Sequence, residues 1–238
     1  MLTHVGTLFG SDAEVGGGLA VIQTEAFLPD DNDGSYTYTW TSAPSSGNLL
    51  VAGVWRYVPN ANEGWDLPPT GWNVVQEEND NGSSPNLQIG LLWRAADGSA
   101  TDNLSVTNEG DSSERMHIAC FAEISGANTT SPIDVSELLS SGTGTGTTVS
   151  FSGVTTTATD TVLVAYCGFD DNDQGTAGTF SNSFIKQEEG DQSFGHDIGQ
   201  ALAIRIVSST GTYATTWTPS SSPGADQYKG VLAAFKAA

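Results

Sequence analysis

Cysteine and the basic residues are scarce in this chain of 238 residues. Two cysteines cannot build a disulfide framework, and both lie in apolar runs, so we predict that Cys120 and Cys167 are buried free thiols, with a single bridge between them as the alternative. Lysine and arginine number seven against 28 aspartates and glutamates, which gives a formal net charge of −21. A surface of this sign repels phosphate backbones and anionic lipids, so neither nucleic acid nor membrane partners are expected. The same acidity suits a halophilic, salt-rich setting, where screening relieves the self-repulsion.

Several segments and motifs that mark protein classes are also missing. No stretch approaches the ~20 apolar residues of a membrane span, and residues 1–18 have neither the basic start nor the apolar run of a signal peptide. The three histidines show no zinc-binding spacing, and no nucleophile elbow or phosphate-binding loop occurs. We therefore predict that the protein is not an enzyme, with a secreted hydrolase of sandwich fold as the least favoured alternative.

The residues that are abundant form strands and turns. Short blocks rich in valine, isoleucine, threonine and aromatics are bounded by glycine, proline, asparagine, aspartate or serine. Residues 36–40 (YTYTW) alternate aromatic and threonine, which is the period of a strand. No helical stripe extends beyond about two turns. We predict an all-β fold, a two-sheet β-sandwich of jelly-roll type.

The blocks occur twice in the same order, which indicates an internal repeat. The apolar run at residues 47–52 (GNLLVA) recurs at 160–165 (DTVLVA). A Gln-Glu-Glu triplet at 76–78 recurs at 187–189. In the last block of each half, we match Phe121 with Phe235. The repeat predicts two equivalent halves, at about residues 19–126 and 131–238.

This repeat leaves two domain arrangements open. The halves either interleave into one sandwich over residues 19–238, which we favour because the connector is short, or form two tandem sandwiches. Residues 1–18 lie outside the repeat and form an N-terminal arm. We predict that the arm is a contact segment for subunit assembly, through four apolar side chains: Leu2, Val5, Leu8 and Phe9.

Several blocks together resemble the β-sandwich structural proteins of phage and virus particles. They are SGNLLV at residues 46–51, PTGW at 69–72, LWRAAD at 92–97 and FAEISG at 121–126. The pattern continues through the second half, and the likeness covers nearly all residues from about 19 to 238. It implies a non-enzymatic virion component, such as a capsid decoration protein, a head fibre, or a tail or adhesion protein. It implies no catalytic residues.

Three acidic turns are candidates for calcium binding. They lie at residues 30–34 (DDNDG), 78–82 (ENDNG) and 170–173 (DDND). Alternating carboxylate and amide oxygens near a glycine are the hard ligands that calcium prefers, although no turn completes the EF-hand pattern. Asp171 and Asp173 are the first ligands to test, against the alternative that all three are solvated turns.

The repeated Gln-Glu-Glu triplets invite a paired-carboxylate interpretation. Adjacent side chains on a strand point to opposite faces, which argues against a glycosidase pair. Arg94 and Arg205 follow the two triplets at the same spacing. We therefore predict structural cross-strand contacts, Glu77 with Arg94 and Glu188 with Arg205.

The sequence thus favours a virion structural protein of the particle surface that acts through subunit assembly, with a host surface glycan as a candidate further partner. Its expected partners are other virion proteins and further copies of itself, and its expected place is the virion, assembled in the host cytoplasm. A carbohydrate-binding module that uses calcium is the alternative function. In that case Trp65, in a polar, proline-rich loop, is the residue that stacks on a sugar, against the alternative that its ring folds back on the core.

Overall fold

The computed structural model of the protein describes residues 18–28, 35–58, 68–79, 86–99, 102–107, 116–143, 148–170, 178–193, 197–219 and 227–238. These residues form fifteen β-strands and no helix, and every pairing between strands is antiparallel. The predicted all-β sandwich class is confirmed, while the jelly-roll type stays a prediction. None of the described residues belongs to a helix long and apolar enough to cross a membrane.

Seven of the described strands lie in the first half of the chain and eight in the second. The first half holds β1 (Ala20–Phe27), β2 (Ser35–Tyr38), β3 (Leu49–Val58), β4 (Asn73–Asn79), β5 (Asn86–Ala95), β6 (Leu104–Thr107) and β7 (Met116–Ser125). The second half holds β8 (Ile133–Thr143), β9 (Val149–Thr155), β10 (Thr161–Asp170), β11 (Gly178–Phe180), β12 (Ile185–Ser193), β13 (Asp197–Val207), β14 (Thr212–Pro219) and β15 (Gln227–Lys236).

Each half builds one five-stranded sheet and one smaller sheet. The five-stranded sheets run β1-β7-β3-β5-β4 in the first half and, read from the corresponding edge, β8-β15-β10-β13-β12 in the second. The smaller sheets are β2-β6 and β11-β14-β9. The strand order of the large sheets is therefore the same in both halves.

The β-bulges of the two large sheets also fall at matching places. Ile22 in β1 and Asp134 in β8 are each left unpaired against the neighbouring strand, and so are Val75 in β4 and Gln187 in β12. A bulge shifts the register by one residue, so matching bulges fix which residues of the two halves are equivalent.

This register corrects two of the sequence matches. Phe121 lies opposite Ala52 and Leu232 opposite Ala165, so Phe121 is equivalent to Leu232, and the match with Phe235 is wrong. The Gln-Glu-Glu match is wrong by one residue, because the chain between the paired residues Asn79 and Gln88 is one residue longer than the chain between their equivalents, Asp191 and Gly199. Gln76 pairs with Leu91 and Glu188 pairs with Leu202, so these two side chains are equivalent.

The sheets stack in four layers with three apolar cores. The central core lies between the two five-stranded sheets and includes Val51, Trp55, Val164 and Tyr166. The two outer cores lie between each large sheet and the small sheet of its own half. Because β3 and β10 are covered on both faces, they read as nearly continuous apolar runs.

The halves meet face to face and do not interleave. Among the described strands, each sheet takes its strands from one half only. The favoured interleaved sandwich is therefore wrong, because every strand finds its hydrogen-bonding neighbours within its own half. The connector, residues 126–132, nevertheless ties the halves together: Ala127 bridges to Ala237, and the Ala238 amide donates to the Gly126 carbonyl at 2.8 Å.

Candidate functional site

Functional chemistry in a β-sandwich needs polar groups held in fixed positions, so the buried polar side chains are the first candidates. Among the described residues, the buried acids are Glu25, Asp102, Glu123 and Glu188, and the buried cations are Arg56 and Lys229. Their hydrogen-bond partners indicate what each does.

Glu123 ties the edge of the first large sheet to the turn before β3. Its carboxylate is 1 % exposed and accepts from the Gln23 side chain at 2.6 Å, the Ser45 amide at 2.8 Å and the Asn48 side chain at 2.6 Å. Three donors fix both of its oxygens. This carboxylate is therefore part of the scaffold.

Asp102 plays a similar part at the turn between β5 and β6. Its side chain is fully buried, and its carboxylate lies 2.8 Å from an Arg94 Nη2 atom and accepts from the Asp97 amide at 3.2 Å. Arg94 also lies 3.5 Å from Asp97, and its guanidinium is 5.9 Å from the centre of the Trp72 ring. The cluster orders this turn around one buried ion pair.

The predicted Glu77–Arg94 contact is therefore wrong. Glu77 lies opposite Gly90 in the β4–β5 ladder, four positions before Arg94, and its side chain is exposed. Arg94 instead bonds the acids that follow it in the chain, Asp97 and Asp102. The turn after β5 brings Asp97 and Asp102 back to Arg94, whereas the neighbouring strand β4 holds Glu77 four positions away along the ladder.

The predicted Glu188–Arg205 contact is also wrong. Arg205 donates to the Asn182 carbonyl at 2.8 Å, and its guanidinium lies 5.0 Å from the centre of the Tyr213 ring. Glu188 faces the other half of the chain, where its carboxylate accepts from the Thr24 hydroxyl at 2.7 Å. The bulge at Gln187 turns Glu188 into the central interface.

The contact between β1 and β12 is the described region that combines a perturbed acid with exposed apolar side chains. We call it the acidic seam and define it by Thr24, Glu25 and Glu188. Burial raises the pKa of the Glu188 carboxyl, the hydrogen bond from Thr24 opposes that rise, and the charge of Glu25 adds to it. Glu25 itself accepts from the Thr41 amide at 2.7 Å.

An equivalent contact between β4 and β8 lacks this acid. We call it the amide seam and define it by Gln76, whose side chain donates to the Ser136 hydroxyl at 2.9 Å. Gln76 is equivalent to Glu188, and Ser136 is equivalent to Thr24, because Ser136 lies opposite Ala233 and Thr24 opposite Ala122. The two seams are thus the same contact made twice, with Glu188 in one at the position that Gln76 holds in the other.

The seams also differ at their surfaces. Ile22 and Ile185 flank the acidic seam and are 40 % and 64 % exposed, which sets them apart from the other large apolar side chains described. Their equivalents beside the amide seam are Asp134, at the matching bulge, and Asn73, at the matching end of β4. The acidic seam therefore carries an apolar surface where its counterpart is polar.

A buried lysine adds one more link between the halves. The Lys229 side chain of β15 is fully buried, and its Nζ atom lies 3.4 Å from a Glu78 carboxylate oxygen of β4. Separately, the Gln200 side chain donates to the Ala119 carbonyl at 3.0 Å and accepts from the Tyr166 hydroxyl at 2.8 Å. These polar contacts fix the two large sheets in one relative position.

The thiol prediction is confirmed. Cys120 and Cys167 are both free and buried. Burial raises the pKa of each thiol well above its ordinary value, so neither is poised as a thiolate nucleophile at neutral pH.

Most of the other predicted site residues lie outside the described residues. These are the arm residues Leu2, Val5, Leu8 and Phe9, the stacking candidate Trp65, and the calcium candidates Asp171 and Asp173. Within the described part of the chain, no group of three or more histidine, cysteine, aspartate or glutamate side chains is placed to hold a metal ion. The calcium prediction for Asp171 and Asp173 thus stays a prediction.

Sequence reasoning missed the residues that link the halves. Thr24 and Ser136 sit in half-buried edge strands, and no local motif marks either one. The repeat gave no signal for them, because the alignment of Thr24 with Ser136 and of Glu188 with Gln76 depends on bulges that the sequence does not mark. Comparison with known proteins adds no further guide, since no family model, no curated protein and no solved structure matches this chain.

Proposed function

We propose that this protein is a non-enzymatic structural component of a virus or phage particle surface, acting through contacts between subunits. The observation that carries the proposal is the use of the buried acids. Glu123 and Asp102 bind backbone amides and side chains that shape the fold, and Glu188 joins the halves. Acids that bind the fold's own groups in this way make the scaffold rigid. The resemblance of the sequence blocks at residues 46–51, 69–72, 92–97 and 121–126 to virion sandwich proteins supports the same assignment.

The surface we assign to subunit contact is the acidic seam with its flanking isoleucines. Exposed isoleucine side chains lose unfavourable contact with water when another subunit covers them. The predicted arm of residues 1–18 joins β1 directly, so this seam also lies where the arm enters the fold. The partner we assign to it is a second copy of this chain.

Variants copied from the amide seam test this assignment. Ile22→Asp with Ile185→Asn gives the acidic seam the residues that its counterpart already carries, so the fold should be preserved. Light scattering in molar salt should show a lower mass for the variant than for the wild type at an unchanged Tm. The reverse change at the amide seam, Asn73→Ile, is the matched control and should not lower the mass.

The virion assignment itself is tested on particles. Particles purified by density gradient from the source culture should contain peptides of this chain in a constant ratio to the major capsid protein. If the chain is found only in the soluble fraction, the virion assignment is wrong. Binding of the purified protein to a glycan array in that case would favour the carbohydrate-binding alternative.

A further inference from the structure

The central interface contains two contacts in which a ring of one half lies against a glycine of the other. A Cβ atom built on Gly53 would lie 2.3 Å from the Tyr166 ring, and one built on Gly168 would lie 2.2 Å from the Trp55 ring. Real Cβ contacts are essentially never shorter than 3.0 Å. Each glycine is therefore required by the ring opposite, and each half supplies one ring and one glycine.

Both contacts join a position to its own equivalent. Gly53 lies between Leu91 and Cys120 in the first large sheet, and Tyr166 lies between Leu202 and Val231 at the same place in the second. Two residues further along the same strands, Trp55 and Gly168 are equivalent in the same way. A position that faces its own equivalent lies on or near a two-fold axis between the sheets.

The seams obey the same symmetry. β1 contacts β12 on one side of the interface, and β4 contacts β8 on the other. Thr24 with Glu188 and Ser136 with Gln76 are the same pair of positions exchanged between the halves. The two large sheets are therefore arranged like the subunits of a two-fold dimer joined by residues 126–132.

We propose that this interface is keyed: the inner face of each half fits the other half and rejects a copy of itself. Two first halves would place Trp55 against Trp55 and leave a gap between two Gly53 residues. Two second halves would place Tyr166 against Tyr166 and leave a gap at Gly168. Only the unlike pairing matches one ring to one glycine at both positions. This inference is independent of the proposed function.

The keyed interface defines the partner that each inner face accepts. Two copies of the chain cannot exchange halves by pairing like with like, because one position would clash and the other would be empty.

The test transposes one ring across the interface in the full chain. Tyr166→Phe is the reference, since it removes the hydroxyl bonded to Gln200 from the comparison. Tyr166→Gly reproduces the empty contact of two first halves. Gly53→Phe with Tyr166→Phe reproduces the ring clash of two second halves. Gly53→Phe with Tyr166→Gly moves the ring to the other half and restores one ring against one glycine.

The expected result is recovery in the transposed variant. Tyr166→Gly should have a Tm about 10 °C below that of the reference Tyr166→Phe, which is the size expected for removing a buried ring from a chain of this length. The clash variant should fall at least as far or fail to fold. The transposed variant should melt above both. A transposed variant that melts at or below Tyr166→Gly, or that does not fold, overturns the proposal.

A smaller change checks the same contact without a large insertion. Gly53→Ala should lower the Tm when Tyr166 is present and raise it in the Tyr166→Gly background, where the added methyl enters the gap. Gly211→Ala is the matched control, because a Cβ there would make an ordinary contact at 3.4 Å. It should change the Tm equally in both backgrounds. The same Tm change for Gly53→Ala in both backgrounds would contradict the keyed contact.

Discussion

Replacing Glu123 tests whether the buried acids of this fold are structural. In Glu123→Ala, the Ser45 amide and the Gln23 and Asn48 side chains lose a shared acceptor that is 1 % exposed. A hydrogen bond to a charged group contributes about 1.5–3 kcal/mol. Because the three bonds share one carboxylate and water can enter part of the gap, the losses do not add fully. We expect the free energy of unfolding to fall by about 3–5 kcal/mol, less than the sum of three such bonds.

Urea denaturation followed by tryptophan fluorescence measures this loss, since the chain contains six tryptophans. Glu123→Gln keeps one acceptor oxygen and should lose less than Glu123→Ala. Thr37→Ala is the matched control, because it removes only an exposed hydroxyl contact with Ser105, and it should stay within about 0.5 kcal/mol of the wild type. A loss below about 1 kcal/mol for Glu123→Ala would refute the reasoning, since it would mean that the three donors find other acceptors.

Three further predictions concern Glu188, Arg94 and the N-terminal arm. The raised pKa of Glu188 means that the folded protein holds this proton more tightly than the unfolded chain, so the acid's contribution to stability falls as pH rises through the folded pKa. Glu188→Gln should therefore be more stable than the wild type at neutral pH, and the difference in Tm between the two should shrink in acid. A difference in Tm that stays constant across pH would contradict this. Arg94→Ala should lower the free energy of unfolding by about 3–5 kcal/mol, because it leaves Asp102 buried without its arginine. An unchanged free energy of unfolding in urea denaturation would show that the ion pair is dispensable. Removing residues 1–18 should lower the assembled mass in light scattering without lowering the Tm, and an unchanged mass would argue against the arm as a contact segment.

The fold class followed from the sequence because strands leave a local signature. The YTYTW alternation at residues 36–40 overlaps β2, and the apolar run from Leu49 begins β3. The repeat was also visible, since Arg94 and Arg205 occupy equivalent positions opposite Leu50 and Leu163. Short-range pattern and order along the chain were therefore enough to predict an all-β chain with two related halves.

The contacts between strands could not be predicted in the same way. A bulge moves every later side chain to the other face, and the sequence does not show that Gln187 is the residue left unpaired. The predicted Glu188–Arg205 pair failed for this reason, since Glu188 faces Thr24 in the other half. Asp102 was missed because its partner Arg94 lies across a turn, where sequence spacing says little about side-chain direction.

The four-layer arrangement explains a feature that would be unusual in a simple two-sheet sandwich. An ordinary sandwich strand alternates buried and exposed residues, as β9 does here. β3 and β10 instead carry buried side chains on both faces, because the inner face meets the other half and the outer face meets a small sheet. Neither large sheet has a polar face to present to water at its centre. The two halves are therefore obligate partners, and the reciprocal fit of Trp55 on Gly168 and Tyr166 on Gly53 decides how they pair.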